Sequence, residues 1–150
     1  MGPGVLPLMG STEMHLRRAG QPAVDALAAG TGCTAFLSIA VGEECVAMLS
    51  SRPSRAMLGI SYRVGLRHPL TVGAGGVAIL SARPVQADDN AEVRRARQIG
   101  YAFSEDRLQA GARGVAVSLR SALLTGASIE ACIGVATLGA MDPTGNLRMR

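Results

Sequence analysis

Residues 93–117 read VRRARQIGYAFSEDRLQAGARGVAV, and this stretch decides the fold class. Arg94, Arg95 and Arg97 bring positive charge to what reads as the last turns of a helix, where free carbonyl ends favour cations. Gly100 then stops the helix, because glycine enters the left-handed region without steric cost. Tyr101–Phe103 reads as a short strand and Ser104–Arg107 as a polar connection. From Arg113 to Leu119 the pattern alternates, which predicts a strand with Val115, Val117 and Leu119 on one face.

The same reading extends upstream. Ser11 or Thr12 can cap a helix whose stripe is Leu16, Ala19, Ala23, Val24 and Leu27. Pro22 predicts a kink or a division into two segments. Cys33–Ala40 and Glu44–Ser50 are strand-like runs around the turn Val41–Glu43, a hairpin. Met57–Tyr62 predicts a third strand and Gly65–Pro69 a loop. Thr71–Ser81 reads as a glycine-rich helix start running into a buried helix. Asp88 or Asp89 is expected to cap the helix Ala91–Ile99. Downstream, a Ser/Gly/Thr connection leads to a last strand, Ile129–Leu138, and the tail from Ala140 is polar. Strands grouped in this way predict an α+β fold, a mostly antiparallel central sheet flanked by helices.

Composition limits the function. The chain has 150 residues, 48% of them hydrophobic, enough for one packed domain. No apolar run is long enough to span a bilayer, and Gly and Pro interrupt the apolar residues of Met1–Met9 without a basic segment before them. All 15 basic residues are arginine, scattered along the chain, and aromatics are only 3%. A nucleic-acid surface wants clustered cations interleaved with aromatics, so no direct nucleic-acid contact is expected. Cys33, Cys45 and Cys132 share no metal-ligand spacing and sit in apolar runs, as core thiols of a cytoplasmic protein would.

Catalysis finds little support. The chain has two histidines, His15 and His68, and neither lies in a nucleophile motif. Asp88-Asp89 and Glu105-Asp106 are adjacent pairs, whose side chains diverge. The chain is therefore expected not to be an enzyme and to use neither metal nor cofactor. The strongest site candidate is Val72-Gly73-Ala74-Gly75-Gly76. A helix amino end carries unpaired amides and a positive dipole end, and small side chains let an anion approach them. Close packing of a helix on a sheet wants the same small residues, so the residues alone leave both readings open.

Residues 97–116 resemble the effector-binding domain of the IclR family of bacterial transcriptional regulators. That family carries Arg-x-x-Gly-(Tyr/Phe)-(Ala/Ser), an acidic loop, then Gly-x-x-(Cys/Gly)-(Val/Ile)-Ala. The matching residues are Arg97, Gly100, Tyr101, Ala102, Glu105, Gly111, Gly114, Val115 and Ala116. Gly2, Leu6, Leu8 or Met9, and Gly10 are similar to the join that follows the family's winged helix. The resemblance implies a GAF-like fold, with 1–11 as a linker remnant behind a missing DNA-binding domain and 12–150 as the effector-binding domain. Two departures stand out: only Ala82–Asn90 separates the glycine-rich helix from the next, and the family's C-terminal helix is shortened or missing.

The resemblance also implies a site. The amides of Ala74 and Gly75, beside Gly73, match those that hold a small organic acid. Met57, Ile60, Ala112, Gly114, Ala136 and Leu138 fall at the pocket walls, with Ser104 at the rim and Thr71 and Thr137 as further polar candidates. The implied effector is an apolar body with one anionic group. A homodimer, which can pair into a tetramer, is implied too, with the first helix and a sheet edge as candidate contacts. The other reading is a dimerisation module that has lost its ligand.

Overall fold

The structure, a computed structural model, describes residues 6–53 and 63–138. Among them the chain forms α1 (Leu6–Thr31), β1 (Thr34–Val41), β2 (Glu44–Ser51), β3 (Arg67–Pro69), α2 (Ala74–Ser81), α3 (Ala91–Ile99), β4 (Ala102–Glu105), β5 (Arg113–Leu119), α4 (Ala122–Gly126) and β6 (Ala131–Thr137). The six strands make one sheet in the order β3-β2-β1-β6-β5-β4. Every neighbouring pair is antiparallel. The α+β expectation therefore holds, while the third strand expected at Met57–Tyr62 lies outside the described residues.

Helices cover both faces of the sheet, so its central strands are apolar on both sides. Leu37, Ile39, Leu49 and Val135 pack with Leu16, Val24 and Ala28 of α1. Phe36, Cys45, Ala47, Ala116 and Cys132 pack on the opposite face with Ala74, Val77 and Ala78 of α2 and Val93 and Ala96 of α3. On the α2 face the sheet is built largely from small residues, and the helix sits close: a Cβ at Gly75 would lie 3.2 Å from Cys132 Sγ of β6 and from the Phe36 ring of β1.

Several local expectations are corrected. α1 begins at Leu6, before the expected caps, and runs unbroken through Pro22. Its buried stripe is Leu16, Gly20, Val24 and Ala28, whereas Ala19 and Ala23 are exposed. This stripe packs on one sheet surface on both sides of the proline, and that shared packing offsets the hydrogen bond lost at Pro22. Asn90 caps α3 by accepting from the Val93 amide at 2.9 Å; Asp89 instead binds Arg97. Gly100 ends the helix in the left-handed conformation, as expected. The connection before β6 contains α4, whose first turn is held by Ser121.

Val115, Val117 and Leu119 share one face of β5, as expected. Gly114 and Ala116 are buried toward α2, while Val117 is 40% exposed and Val115 and Leu119 are half-buried. Val115 and Leu119 pack against the α1-side core, and the small residues of the other face lie under α2.

Candidate functional site

Five segments converge at the amino end of α2. The short edge strand β3 brings His68. β4 and β5 bring Ser104 and Gly114, β6 brings Ala136, and the loop between β4 and β5 brings Arg107, Leu108, Gln109 and Ala112. With Phe36, Leu66, Arg67, Ala74, Gly75 and Arg113 they enclose a cavity of about 340 Å³. That volume is at the small end of ligand sites.

The cavity collects six of the expected residues: Ala74, Gly75, Ser104, Ala112, Gly114 and Ala136. Gly73 stands beside it as the N-cap of α2, with φ 87°, a conformation that favours glycine. The Leu108 side chain occupies the space beside it, 2.9 Å from where a Cβ at Gly73 would be. Leu138 is half-buried against the neighbouring core and is not a lining residue. Thr71 and Thr137 are not among the lining residues either. Met57 and Ile60 lie outside the described residues.

Two expectations about the α2 amides need correction. Ser104 is not a rim residue: it is buried, and its Oγ accepts the Ala74 amide proton at 3.1 Å. One of the two expected anion donors is therefore already satisfied. The Ser104 hydroxyl, having accepted, keeps its own proton to donate. Gly75 and Gly76 carry the remaining first-turn amides, which no carbonyl within the helix reaches. The Cα of Gly75 faces the core as well, since a Cβ there would meet Cys132 Sγ and Phe36 at 3.2 Å and Cys45 Sγ at 3.5 Å.

His68 is the residue that pattern reading missed. It was expected in a loop; it is 7% exposed, on β3, directly opposite Cys45 of β2. Opposed residues of antiparallel strands point to one face, so ring and thiol are neighbours. Nδ1 lies 3.0 Å from the Pro69 carbonyl oxygen, while Nε2 is buried with no hydrogen-bond partner. A hydrogen bond from Cys132 holds the Cys45 thiol well below its ordinary value against the opposing effect of burial, and His68 adds to this. Burial lowers the His68 value, but the Cys45 sulfur and the Pro69 and Val72 carbonyls raise it further. Cys132 is raised well above a normal thiol by Cys45 and by burial. The register Cys45↔His68 was the available signal, and it is invisible until Arg67–Pro69 is known to be a strand.

The charges around the cavity are unevenly placed. Arg67 and Arg113 alternate with the inward residues His68 and Gly114, and their guanidinium groups pair with Glu44 at 2.9 Å and Glu105 at 2.6 Å. Arg107, from the loop, pairs with Glu92 at 3.4 Å. No carboxylate is among the described lining residues. Cys45 lies fully buried behind the ring and does not line the cavity, so the pair presents no nucleophile to it. His15 is exposed on α1. All three cysteines are free and buried, as expected of core thiols. Among the described residues, no cluster of three or more His, Cys, Asp or Glu could hold a metal ion, and no helix is long and apolar enough to cross a membrane.

No protein-family model and no curated protein matches the chain. Solved structures do. An IclR family transcriptional regulator from Brucella abortus aligns over 89% of this chain and 58% of its own, with 16% identity and a TM-score of 0.70. An IclR transcriptional regulator from Alicyclobacillus acidocaldarius aligns over 91% and 63%, with 20% identity and a TM-score of 0.68. The IclR of Thermotoga maritima aligns over 89% and 60%, with 17% identity and a TM-score of 0.64. The chain thus has the fold found in IclR-family regulators and spans roughly three-fifths of their length.

Proposed function

We propose that this chain is the effector-sensing part of an IclR-type transcriptional regulator. It binds a small anionic metabolite with an apolar body and couples that binding to the arrangement of an oligomer and of attached winged-helix domains. The observation that carries the reading is the cavity at the amino end of α2, with Ser104, His68 and the Gly75 amide around it and no carboxylate among its described lining residues. Phe36, Leu66, Ala112 and Ala136 provide the apolar wall. The fold likeness supports the regulatory setting; regulation then follows if the ligand binds one oligomer arrangement better than another.

A thermal-shift screen of small organic acids tests this reading. A ligand at a hundred times its dissociation constant adds about 2.7 kcal/mol, a readily measured shift. Sedimentation with and without such an acid tests the coupling to assembly. One observation favours the second reading, a dimerisation module without a ligand: Ser104 already occupies the Ala74 amide. A dimer in sedimentation whose melting no acid shifts would select that reading.

A further inference from the structure

We propose that the effector is a dianion, a linear dicarboxylate: one carboxylate lies at the buried end of the cavity beside α2, the apolar chain follows the wall, and the second carboxylate takes the Arg107 guanidinium at the solvent end. The proposal rests on the effector reading above and names the ligand class of the same site.

The argument begins with where the cations stand. Arg67, Arg107 and Arg113 all line the cavity, and no carboxylate does so among the described lining residues. Ser104 and Ala74 are buried, whereas the Arg67 and Arg107 side chains are each 47% exposed. The cavity therefore has a buried end at the start of α2 and a solvent end that carries guanidinium groups. The rest of the lining is largely apolar, with Leu66 and Ala112 among it. A ligand with one anionic head and an apolar tail would leave its tail among arginines. A second anionic head gives those arginines a partner.

The three arginines are not equally engaged. Arg67 turns Nε and Nη2 onto Glu44 at 3.0 and 2.9 Å. Arg113 turns the same two atoms onto Glu105 at 2.7 and 2.6 Å. Arg107 meets Glu92 through Nη2 alone, at 3.4 Å. A long, half-exposed pair of this kind contributes little in water, so an arriving carboxylate displaces it at small cost. The guanidinium fork then offers that carboxylate two parallel N–H donors, a stronger arrangement than the single contact it replaces. The loop keeps Arg107 at this end of the cavity. Next to it, the Asp106 amide donates to the Ala112 carbonyl at 2.8 Å, and the Asp106 carboxylate accepts the Gly111 amide. Arg107 is thus carried on a closed loop whose two ends are tied together, with Leu108 beside it against Gly73.

The test uses this chain at neutral pH, where both carboxylates of each probe are ionised. Calorimetry compares succinate, glutarate, adipate and pimelate, each with the monocarboxylate of the same carbon number. NMR signals of the Gly75 and Ser104 amides report occupancy of the cavity. At least one diacid is expected to bind about tenfold or more tighter than its monoacid, as a charge-assisted pair supplies. Arg107→Gln should remove that advantage. Arg18→Gln, the same change of charge on the exposed side of α1, should leave it in place. Acids that move Gly75 and Ser104 with no gain for any diacid overturn the proposal and leave the effector reading standing. An advantage that survives Arg107→Gln, or that falls equally in Arg18→Gln, does the same. If no acid of either series or of a wider set moves Gly75 and Ser104, both readings fall.

Discussion

The amide of Ala74 donates to the hydroxyl of Ser104 at 3.1 Å, a buried bond joining the first residue of α2 to β4 across thirty residues of sequence. It is an N-cap supplied from another element, in place of the side chain that Gly73 lacks. Ser104→Ala leaves that amide buried and unpaired, and should lower stability by about 1–3 kcal/mol. Urea unfolding measures the difference. A loss within error would mean that water replaces the hydroxyl.

Arg97 makes a comparable join between α3 and the end of α2. Its guanidinium donates to the carbonyls of Leu80 at 3.3 Å, Ser81 at 3.2 Å and Arg83 at 3.1 Å, and to Asp89 at 2.5 Å. The Leu80 and Ser81 carbonyls lie at the end of α2, beyond the reach of the helix's own amides; the Leu80 carbonyl also accepts the Arg83 amide at 3.1 Å. Arg97→Lys keeps the charge but cannot span this set with one ammonium. It should cost about 1–3 kcal/mol and speed hydrogen exchange in Ala82–Asn90. A lysine variant that melts with the parent would reduce this network to surface decoration.

Asp89 gives the clasp a pH dependence of defined sign. Arg97, with the Gln86 amide, holds its carboxyl below the ordinary carboxylate value. A depressed acid contributes stability above its unfolded value, about 3.9, and loses it as pH falls through the lower folded value. Asp89→Asn should therefore narrow the stability gap to the parent progressively below about pH 4. A gap unchanged from neutral pH into that range would show that the pair is not coupled to folding.

Gly75 and Ala112 should separate packing from binding. A side chain at Gly75 enters the core against Cys132 and Phe36, so Gly75→Leu should destabilise the fold by about 1–3 kcal/mol or more through overpacking. Ala112 is half-buried in the cavity wall, and Ala112→Leu fills cavity space. It should abolish the thermal shift caused by an effector acid while leaving the urea midpoint near the parent's. An unchanged thermal shift in Ala112→Leu would place the ligand elsewhere.

Short-range signals in the sequence determined the helices and strands whose residues carry them. Gly100 closes α3 where the left-handed residue was expected. Arg113–Leu119 is a strand with the expected bounds, and the β1–β2 hairpin turns where Val41–Glu43 predicts. Cavity residues Ala74, Gly114 and Ala136 were legible through resemblance, because their smallness is a property of each position. Tertiary structure decided the rest. Arg67–Pro69 is too short to show a period, and only pairing with β2 makes it a strand that brings His68 to Cys45. The buried face of β5 is its small side because α2 lies against it, a fact about a neighbour forty residues away in the chain. Ser104 caps α2, and Gly75 points into the core, for the same reason. Local backbone preferences are written residue by residue, whereas the space and partners each side chain meets are set by segments distant in sequence.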